Sequence, residues 1–182
     1  MMRASFCKGV CNMNTNSNTK TQKLVVAAML AALICLTTFI IKIPSPLHGY
    51  LNLGDCFVLL AGWILSPVYG FLAAGLGSGL ADLLGGYSVY APATFLIKGV
   101  MALIVHYTYK ILHRKGSGTA VRIGGGIAAE VFMVAGYLLF EGLLYGFGPS
   151  LVNVLPNGVQ GAFGLALGVI LIKVVEKTRI MR

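Results

Sequence analysis

One lysine of this chain lies where a charged side chain needs a partner. Lys98 belongs to the stretch 90–99, YAPATFLIKG, and follows Pro92 by six residues. At ~1.5 Å per residue, a helix starting there places the lysine roughly 9 Å inside an apolar segment. A charge at such a depth in a membrane helix is costly and usually faces an interior cavity or a partner group. The position therefore predicts recognition of a polar group rather than a surface role.

Further polar side chains recur at helical spacing in the later apolar segments. Residues three, four or seven apart share one face of a helix. One such face carries Glu130, Tyr137 and Glu141, and another carries Asn153, Asn157 and Gln160. Asp55 and Asp82 lie at the ends of two other segments, so five segments direct polar groups to one end of the molecule.

Two interpretations of these polar groups are open. Polar residues also join membrane helices by hydrogen bonds, and Lys98 could form a structural ion pair with Glu141 or Glu130. We favour a binding site for a solute, because the whole set is confined to one depth.

The segments that position these residues are too apolar for a soluble protein. The chain has 182 residues, of which 57% are hydrophobic and 10% charged, and its mean hydropathy is +0.85. A soluble domain carries about 25% charged residues. We predict an all-α integral membrane protein, a bundle of six transmembrane helices at 24–43, 53–65, 68–84, 93–112, 123–145 and 154–175. Residues 1–23 are predicted to form a disordered polar tail, 24–176 the membrane domain, and 177–182 a basic tail.

The basic residues predict the orientation. Twelve of the fourteen Lys and Arg residues precede the first segment, flank the connection between the fourth and fifth, or follow the sixth. The exceptions are Lys42 and Lys98. Because basic loops stay in the cytoplasm, both termini are predicted to be cytoplasmic, and the polar cluster to lie near the outer face.

Other patterns bear on partners and chemistry. The first segment carries small residues four apart, at Ala27 and Ala31 and at Ala28 and Ala32. Such a face packs either within the fold or against another protein. No G-x-x-x-x-G-K-[ST] motif, catalytic Ser/His/Asp set or metal-binding pattern occurs in the sequence, so we predict no enzyme activity, cofactor or metal site in this chain.

Four motifs resemble a known family. GYLNLGD at 49–55, GLADLLGGY at 79–87, YAPATFLIKG at 90–99 and LPNGVQG at 155–161 are similar to S components, the membrane substrate-binding subunits of energy-coupling factor (ECF) vitamin transporters, in their riboflavin-transporter-like branch. The resemblance covers residues 23–177. It implies a six-helix bundle in the bacterial plasma membrane, with a vitamin site near the outer face. It also implies a complex with a transmembrane coupling subunit, docked on the alanine face (Ala27, Ala28, Ala31, Ala32), and two ATPase subunits that hydrolyse ATP.

The resulting hypothesis is a subunit that captures a flat heterocycle related to riboflavin, pyridoxine or hydroxymethylpyrimidine. An apolar wall with a few placed polar groups is typical of small-ligand sites. The candidate site residues are Tyr50, Asn52, Asp55, Asp82, Tyr90, Lys98, Tyr137, Glu141, Asn157 and Gln160. The alternative is a stand-alone secondary transporter in which Asp82, Glu130 or Glu141 relays protons.

Overall fold

The structure, a computed structural model, describes residues 17–41, 43–44, 50–112 and 118–178. These residues contain six helices of ten or more residues. They are α1 (Ser17–Ile40), α2 (Asp55–Ile64), α3 (Pro67–Leu84), α4 (Ala91–Leu112), α5 (Gly118–Tyr145) and α6 (Val154–Lys177). A single helical turn, Phe147–Ser150, and a 3₁₀ turn, Leu151–Asn153, connect α5 to α6.

The structure confirms the predicted order of the helices. One of them, α2, is shorter than a membrane-spanning helix. Five helical segments, one of which joins the connecting turns to α6, are long and apolar enough to cross a membrane. α2 has ten residues and is about 15 Å long, half of a ~30 Å hydrocarbon core. The turn at Ser66 is the reason, because Ser66 is extended and Pro67 starts the next helix.

The first helix also differs from its predicted bounds. α1 begins at Ser17, seven residues earlier than predicted, and ends at Ile40, three residues earlier. The chain after α1 forms a short antiparallel pair, β1 (Ile43–Pro44) with β2 (Tyr50–Leu51), which sequence patterns did not predict. We call the end of the bundle where this pair lies the hairpin end.

The short helix α2 lies in the centre of the molecule. Eight of its ten residues are buried, and it contacts α3, α4 and α6. Val58, Leu59 and Ala61 have no exposed surface, and Trp63 is 6% exposed. α2 is therefore surrounded by the longer helices, and its first residue, Asp55, starts inside the protein rather than at its surface.

Close backbone contacts hold α3 against its neighbours. A Cβ atom at Gly77 would lie 2.6 Å from the carbonyl oxygen of Ala31 in α1, and one at Gly75 would lie 2.8 Å from that of Phe95 in α4. These distances are shorter than van der Waals contact, so only glycine allows the helices to approach so closely.

The four alanines of α1 do not share one environment. Ala27 is buried in the core and Ala31 is partly buried beside Gly77, whereas Ala28 and Ala32 are exposed. The predicted docking face is therefore narrower than the sequence suggested, since Ala27 is not accessible to another protein.

Candidate functional site

A small polar cavity lies at the hairpin end of the bundle. Every described residue that lines it carries a polar side chain, and eight of these twelve were predicted as site residues: Asn52, Asp82, Tyr90, Lys98, Tyr137, Glu141, Asn157 and Gln160. The other four are Thr38, Ser78, Tyr87 and Thr94. α1, α3, α4, α5 and α6 all contribute, together with the chain that follows β2.

Lys98 forms a buried ion pair with Asp55. The Lys98 ammonium donates to Asp55 Oδ1, and the two side chains are 3% and 0% exposed. Met133 Sδ lies 2.9 Å from the same nitrogen, and the Tyr137 ring centroid lies 5.6 Å away, within cation–π range. The alternative of a structural ion pair thus holds for Lys98, but its partner is Asp55 and not Glu141 or Glu130, because α2 places Asp55 deeper than its position in the sequence suggests.

Gln160 connects this ion pair to the chain after the hairpin. Its Nε2 donates to Asp55 Oδ2 at 2.7 Å, and its Oε1 accepts from the backbone N–H of Asn52 at 2.9 Å. Asn52 Oδ1 in turn accepts from the backbone N–H of Gly54 at 2.9 Å. Asp55, Gln160 and Asn52 thus bond mainly to one another, so they order the wall of the cavity.

Two further contacts fix α5. Asn153 Nδ2 donates to both carboxylate oxygens of Glu141 at 3.0 Å. The Tyr137 hydroxyl donates to Thr94 Oγ1 at 3.1 Å. Both Glu141 and Tyr137 therefore face the cavity in defined positions.

Aromatic rings close another part of the wall. Tyr90, which immediately precedes α4, packs edge-on against Tyr87 and Phe140, with ring centroids 6.4 and 5.4 Å apart. Burial raises the pKa of the Tyr90 hydroxyl above its usual range. The phenol therefore stays protonated at neutral pH and can donate a hydrogen bond.

The cavity is small. Its volume of about 30 Å³ suffices for water but not for a heterocycle, and small-molecule sites are typically about 300–1,000 Å³. Binding of a larger solute therefore requires side chains of the wall to move.

The remaining predicted residues lie elsewhere. Asp55 lies behind the wall, where it holds Lys98 rather than facing the cavity. The side chain of Tyr50 lies outside the described residues. Ser78 and Thr94 were missed, although each precedes a predicted residue, Asp82 or Lys98, by four positions and so shares its helix face. Thr38 gave no signal, because threonines near the end of an apolar helix usually bond their own backbone, as the neighbouring Thr37 does.

A second groove is apolar and opens on the side of the bundle between α5 and α6. Its volume is about 490 Å³, and Glu130 is the one charged side chain among its described lining residues. Neither Glu130 carboxylate oxygen has a hydrogen-bond partner among the described residues. A Cβ at Gly161 would lie 2.9 Å from Glu130 Oε2, so glycine makes room for this carboxylate. With one polar group, the groove lacks the converging donors and acceptors of a heterocycle site.

Comparisons with known proteins identify the fold and the family. The model of the family described as "ECF-type riboflavin transporter, S component" matches residues 18–177. A solved structure of the S component of a bacterial ECF transporter superimposes with a TM-score of 0.72 at 25% identity, covering 87% of this chain and 98% of that one. The biotin S component of an ECF-type ABC transporter shares the fold, with a TM-score of 0.66 at 17% identity over 91% and 95% of the two chains.

Two relatives are similar in sequence. An uncharacterised protein of Pyrococcus woesei is 35% identical over 74% of this chain and 88% of its own length. The thiamine precursor transporter HmpT of Lactococcus lactis subsp. cremoris (strain MG1363) is 26% identical over 93% of this chain and 96% of its own length. This chain therefore belongs to the S components of ECF transporters, membrane transport subunits for vitamin-type substrates rather than enzymes.

Proposed function

We propose that this chain captures a vitamin or vitamin precursor with a flat heterocycle at the outer face of the bacterial plasma membrane, for uptake driven by ATP-hydrolysing partner subunits. The observation that carries the proposal is the cavity at the hairpin end, lined by polar side chains from five helices of an apolar bundle. An interior of this kind is unusual unless it receives a polar solute. The relative named as a thiamine precursor transporter supports a small heterocyclic substrate.

The proposed orientation rests on charge. The described basic residues Lys20, Lys23, Lys110, Arg122, Lys173 and Lys177 lie at the end opposite the hairpin. Because basic segments remain in the cytoplasm, both termini would be cytoplasmic and the hairpin end would face outward.

We assign ligand contacts to cavity-lining residues other than those that bond mainly to one another. Tyr90 and Tyr137 would contact the ring of the heterocycle. Asp82, Glu141 and Asn157 would bond its polar edge. Asp55, Gln160 and Asn52 would hold Lys98 and the chain after the hairpin in place.

The partners would be a transmembrane coupling subunit and two ATPases, with no cofactor bound to this chain. Ala28 and Ala32 are exposed small residues on α1, and we propose that they contact the coupling subunit, because small residues let two helices approach closely.

Uptake and bound-ligand experiments test the proposal. Protein purified from cells grown in rich medium should carry one heterocyclic vitamin or precursor, identified by mass spectrometry after denaturation. Cells should accumulate that compound only when this chain and an ECF module are expressed together.

Uptake with the chain alone, driven by a pH gradient, would instead support a proton-coupled transporter. Glu130, the buried carboxylate without a described hydrogen-bond partner, is the group such a mechanism would use.

Topology is tested separately by labelling. Ser88 and Lys177 are exposed at opposite ends of the bundle. In a background without the native cysteines, Ser88→Cys should react with an impermeant thiol reagent in intact cells. Lys177→Cys should react only after the cells are opened. The reverse pattern would contradict the proposed orientation.

A further inference from the structure

Two buried hydroxyl groups of the cavity have no hydrogen-bond partner among the described residues. Thr38 Oγ1 in α1 and Ser78 Oγ in α3 belong to side chains that are 3% and 1% exposed. Both residues line the cavity. Leaving such a group unsatisfied costs about 1–3 kcal/mol, so these two hydroxyls require an explanation.

Other hydroxyls of the same protein show the usual solution. Thr37 Oγ1 donates to the carbonyl oxygen of Leu33 at 2.7 Å, and Thr178 Oγ1 donates to that of Val174 at 2.9 Å. A helical Ser or Thr readily bonds the carbonyl four residues earlier. Neither Thr38 nor Ser78 forms such a bond, although Thr38 directly follows Thr37 on the same helix. Both hydroxyls therefore keep unused donor and acceptor capacity at the edge of the cavity, and a group can reach them once the wall moves to admit a solute.

An acidic residue completes this wall. Asp82 follows Ser78 by four residues on α3, is 3% exposed and lines the same cavity. We call Thr38, Ser78 and Asp82 the α1/α3 wall. It lies on the helices α1 and α3, and Asp82 is the one residue of the three that was predicted from the sequence.

The formal charge around the cavity is negative. Asp55, Asp82 and Glu141 carry three formal negative charges, and Lys98, which is bonded to Asp55, carries one positive charge. Lys42 is the other Lys or Arg residue that the sequence assigns to this end. Counting Lys42 still leaves one negative charge in excess. A ligand with a positive charge or several N–H donors offsets this excess, whereas a carboxylate adds to it.

We propose that the α1/α3 wall binds the nitrogen edge of an amino-substituted or cationic heterocycle, with the amine donating to Asp82 and the two hydroxyls bonding the adjacent ring nitrogen and substituent. This inference rests on the proposed function and narrows its substrate class. A carboxylate accepts N–H donors in charge-assisted bonds, which are about twice as strong as neutral ones. A hydroxyl both donates and accepts, and so suits a ring nitrogen beside an amine.

A matched pair of compounds tests the substrate class. 4-Amino-5-hydroxymethyl-2-methylpyrimidine and its 4-hydroxy counterpart, which exists as the pyrimidinone, differ at the amine and at the protonation of the adjacent ring nitrogen, the two groups that the α1/α3 wall would contact. Isothermal titration of the full-length protein in lipid nanodiscs should give at least tenfold tighter binding of the amino compound. Thiamine should bind more tightly than biotin, which carries a carboxylate. Equal affinity for the two pyrimidines, or tighter binding of biotin, would overturn the inference.

Variants test the wall itself. Thr38→Val removes a hydroxyl with little change of shape, and Ser78→Ala removes the other. Each should weaken binding of the amino compound about tenfold while leaving thermal stability intact, and Asp82→Asn should abolish the preference for the amino compound. Thr37→Val is the control, because its hydroxyl already bonds its own helix, and it should leave affinity unchanged. Unchanged affinity in both Thr38→Val and Ser78→Ala would overturn the assignment.

Different results would overturn the inferred substrate class and the proposed function. Riboflavin or another compound without an amine preference, bound tightly and taken up with an ECF module, would overturn the inference and leave the proposed function in place. Absence of uptake of any vitamin with an ECF module would remove the proposed function, and the inference with it.

Discussion

The ion pairs at the two ends of the bundle differ in burial, and the difference shows where charge is structurally important. Asp55 and Lys98 are 0% and 3% exposed and join α2 to α4. At the end opposite the hairpin, Arg122 Nη2 lies 2.6 Å from Glu176 Oε1, joining α5 to α6, and the two side chains are 8% and 32% exposed.

The surroundings of the two pairs differ as well. Arg122 also donates to the Tyr109 hydroxyl at 3.2 Å and stacks 4.7 Å from its ring centroid, but Glu176 keeps access to solvent. Asp55 and Lys98 depend on Gln160, Met133 and each other. Breaking an exposed pair lowers the free energy of unfolding by about 0–1 kcal/mol, whereas removing one partner of a buried pair lowers it by about 3–5 kcal/mol. The four predictions below test this contrast, from the largest effect on stability to the smallest.

The largest effect is expected when one member of the buried pair is neutralised. Asp55→Asn leaves the Lys98 ammonium buried without its counter-ion, so the free energy of unfolding should fall by about 3–5 kcal/mol. Thermal unfolding in detergent, followed by loss of the monodisperse species, measures the change.

A double variant provides the control for that prediction. Asp55→Asn combined with Lys98→Met removes both charges and should recover most of the lost stability. It should also retain affinity for vitamin if the pair supports the cavity wall and does not contact the ligand. A double variant as unstable as the single one would show that the stability does not depend on pairing of these two charges.

A smaller effect is expected from steric displacement of the buried pair. A Cβ at Gly164 would lie 2.7 Å from Asp55 Cβ, which is too close for either atom to remain in place. Gly164→Ala should therefore lower the free energy of unfolding by about 1–3 kcal/mol through overpacking. Gly158→Ala on the same helix is the matched control, because a Cβ there meets nothing within 4 Å. Equal melting temperatures for both variants would contradict close packing of α6 on Asp55.

The half-buried pair of Arg122 and Glu176 should tolerate loss of its acidic member better, because the carboxylate keeps access to solvent. Glu176→Gln retains the shape of the side chain and removes its charge, and solvent access reduces the contribution of the pair. We expect a loss of about 1 kcal/mol, at the upper end for exposed pairs because Arg122 is buried, and the loss should shrink as salt is raised. A loss as large as that of Asp55→Asn would show that burial does not distinguish the two pairs.

The smallest effect on stability is expected on the exposed side of α1. Ala28→Trp lies away from both ion pairs, so the isolated subunit should keep its melting temperature and its affinity for vitamin. Uptake by cells with an ECF module should nevertheless be lost, because the bulky ring would block the proposed contact with the coupling subunit. Val131→Trp, on an exposed position of α5, should leave uptake unchanged. Loss of binding in Ala28→Trp would place Ala28 inside the fold.

The sequence by itself determined the class of the protein, the order of its helices and the family. Apolar runs bounded by Pro44, Pro67 and the basic loops suffice for this, because hydrophobic length and helix-breaking residues act locally. The four family motifs added the expected location of the site, and eight of the ten predicted residues line the cavity. Their contact with a ligand remains a prediction.

Only the tertiary structure decided which polar residues meet each other. Helical spacing shows which residues share a face. It does not show how deeply a short helix such as α2 is buried when longer helices surround it. That depth pairs Lys98 with Asp55 instead of Glu141. Likewise, the rotation of α1 buries Ala27 and turns Thr38 into the cavity, because the close contact of Ala31 with Gly77 on α3 sets that rotation. Contacts between residues far apart in the chain depend on packing, which a local pattern does not encode.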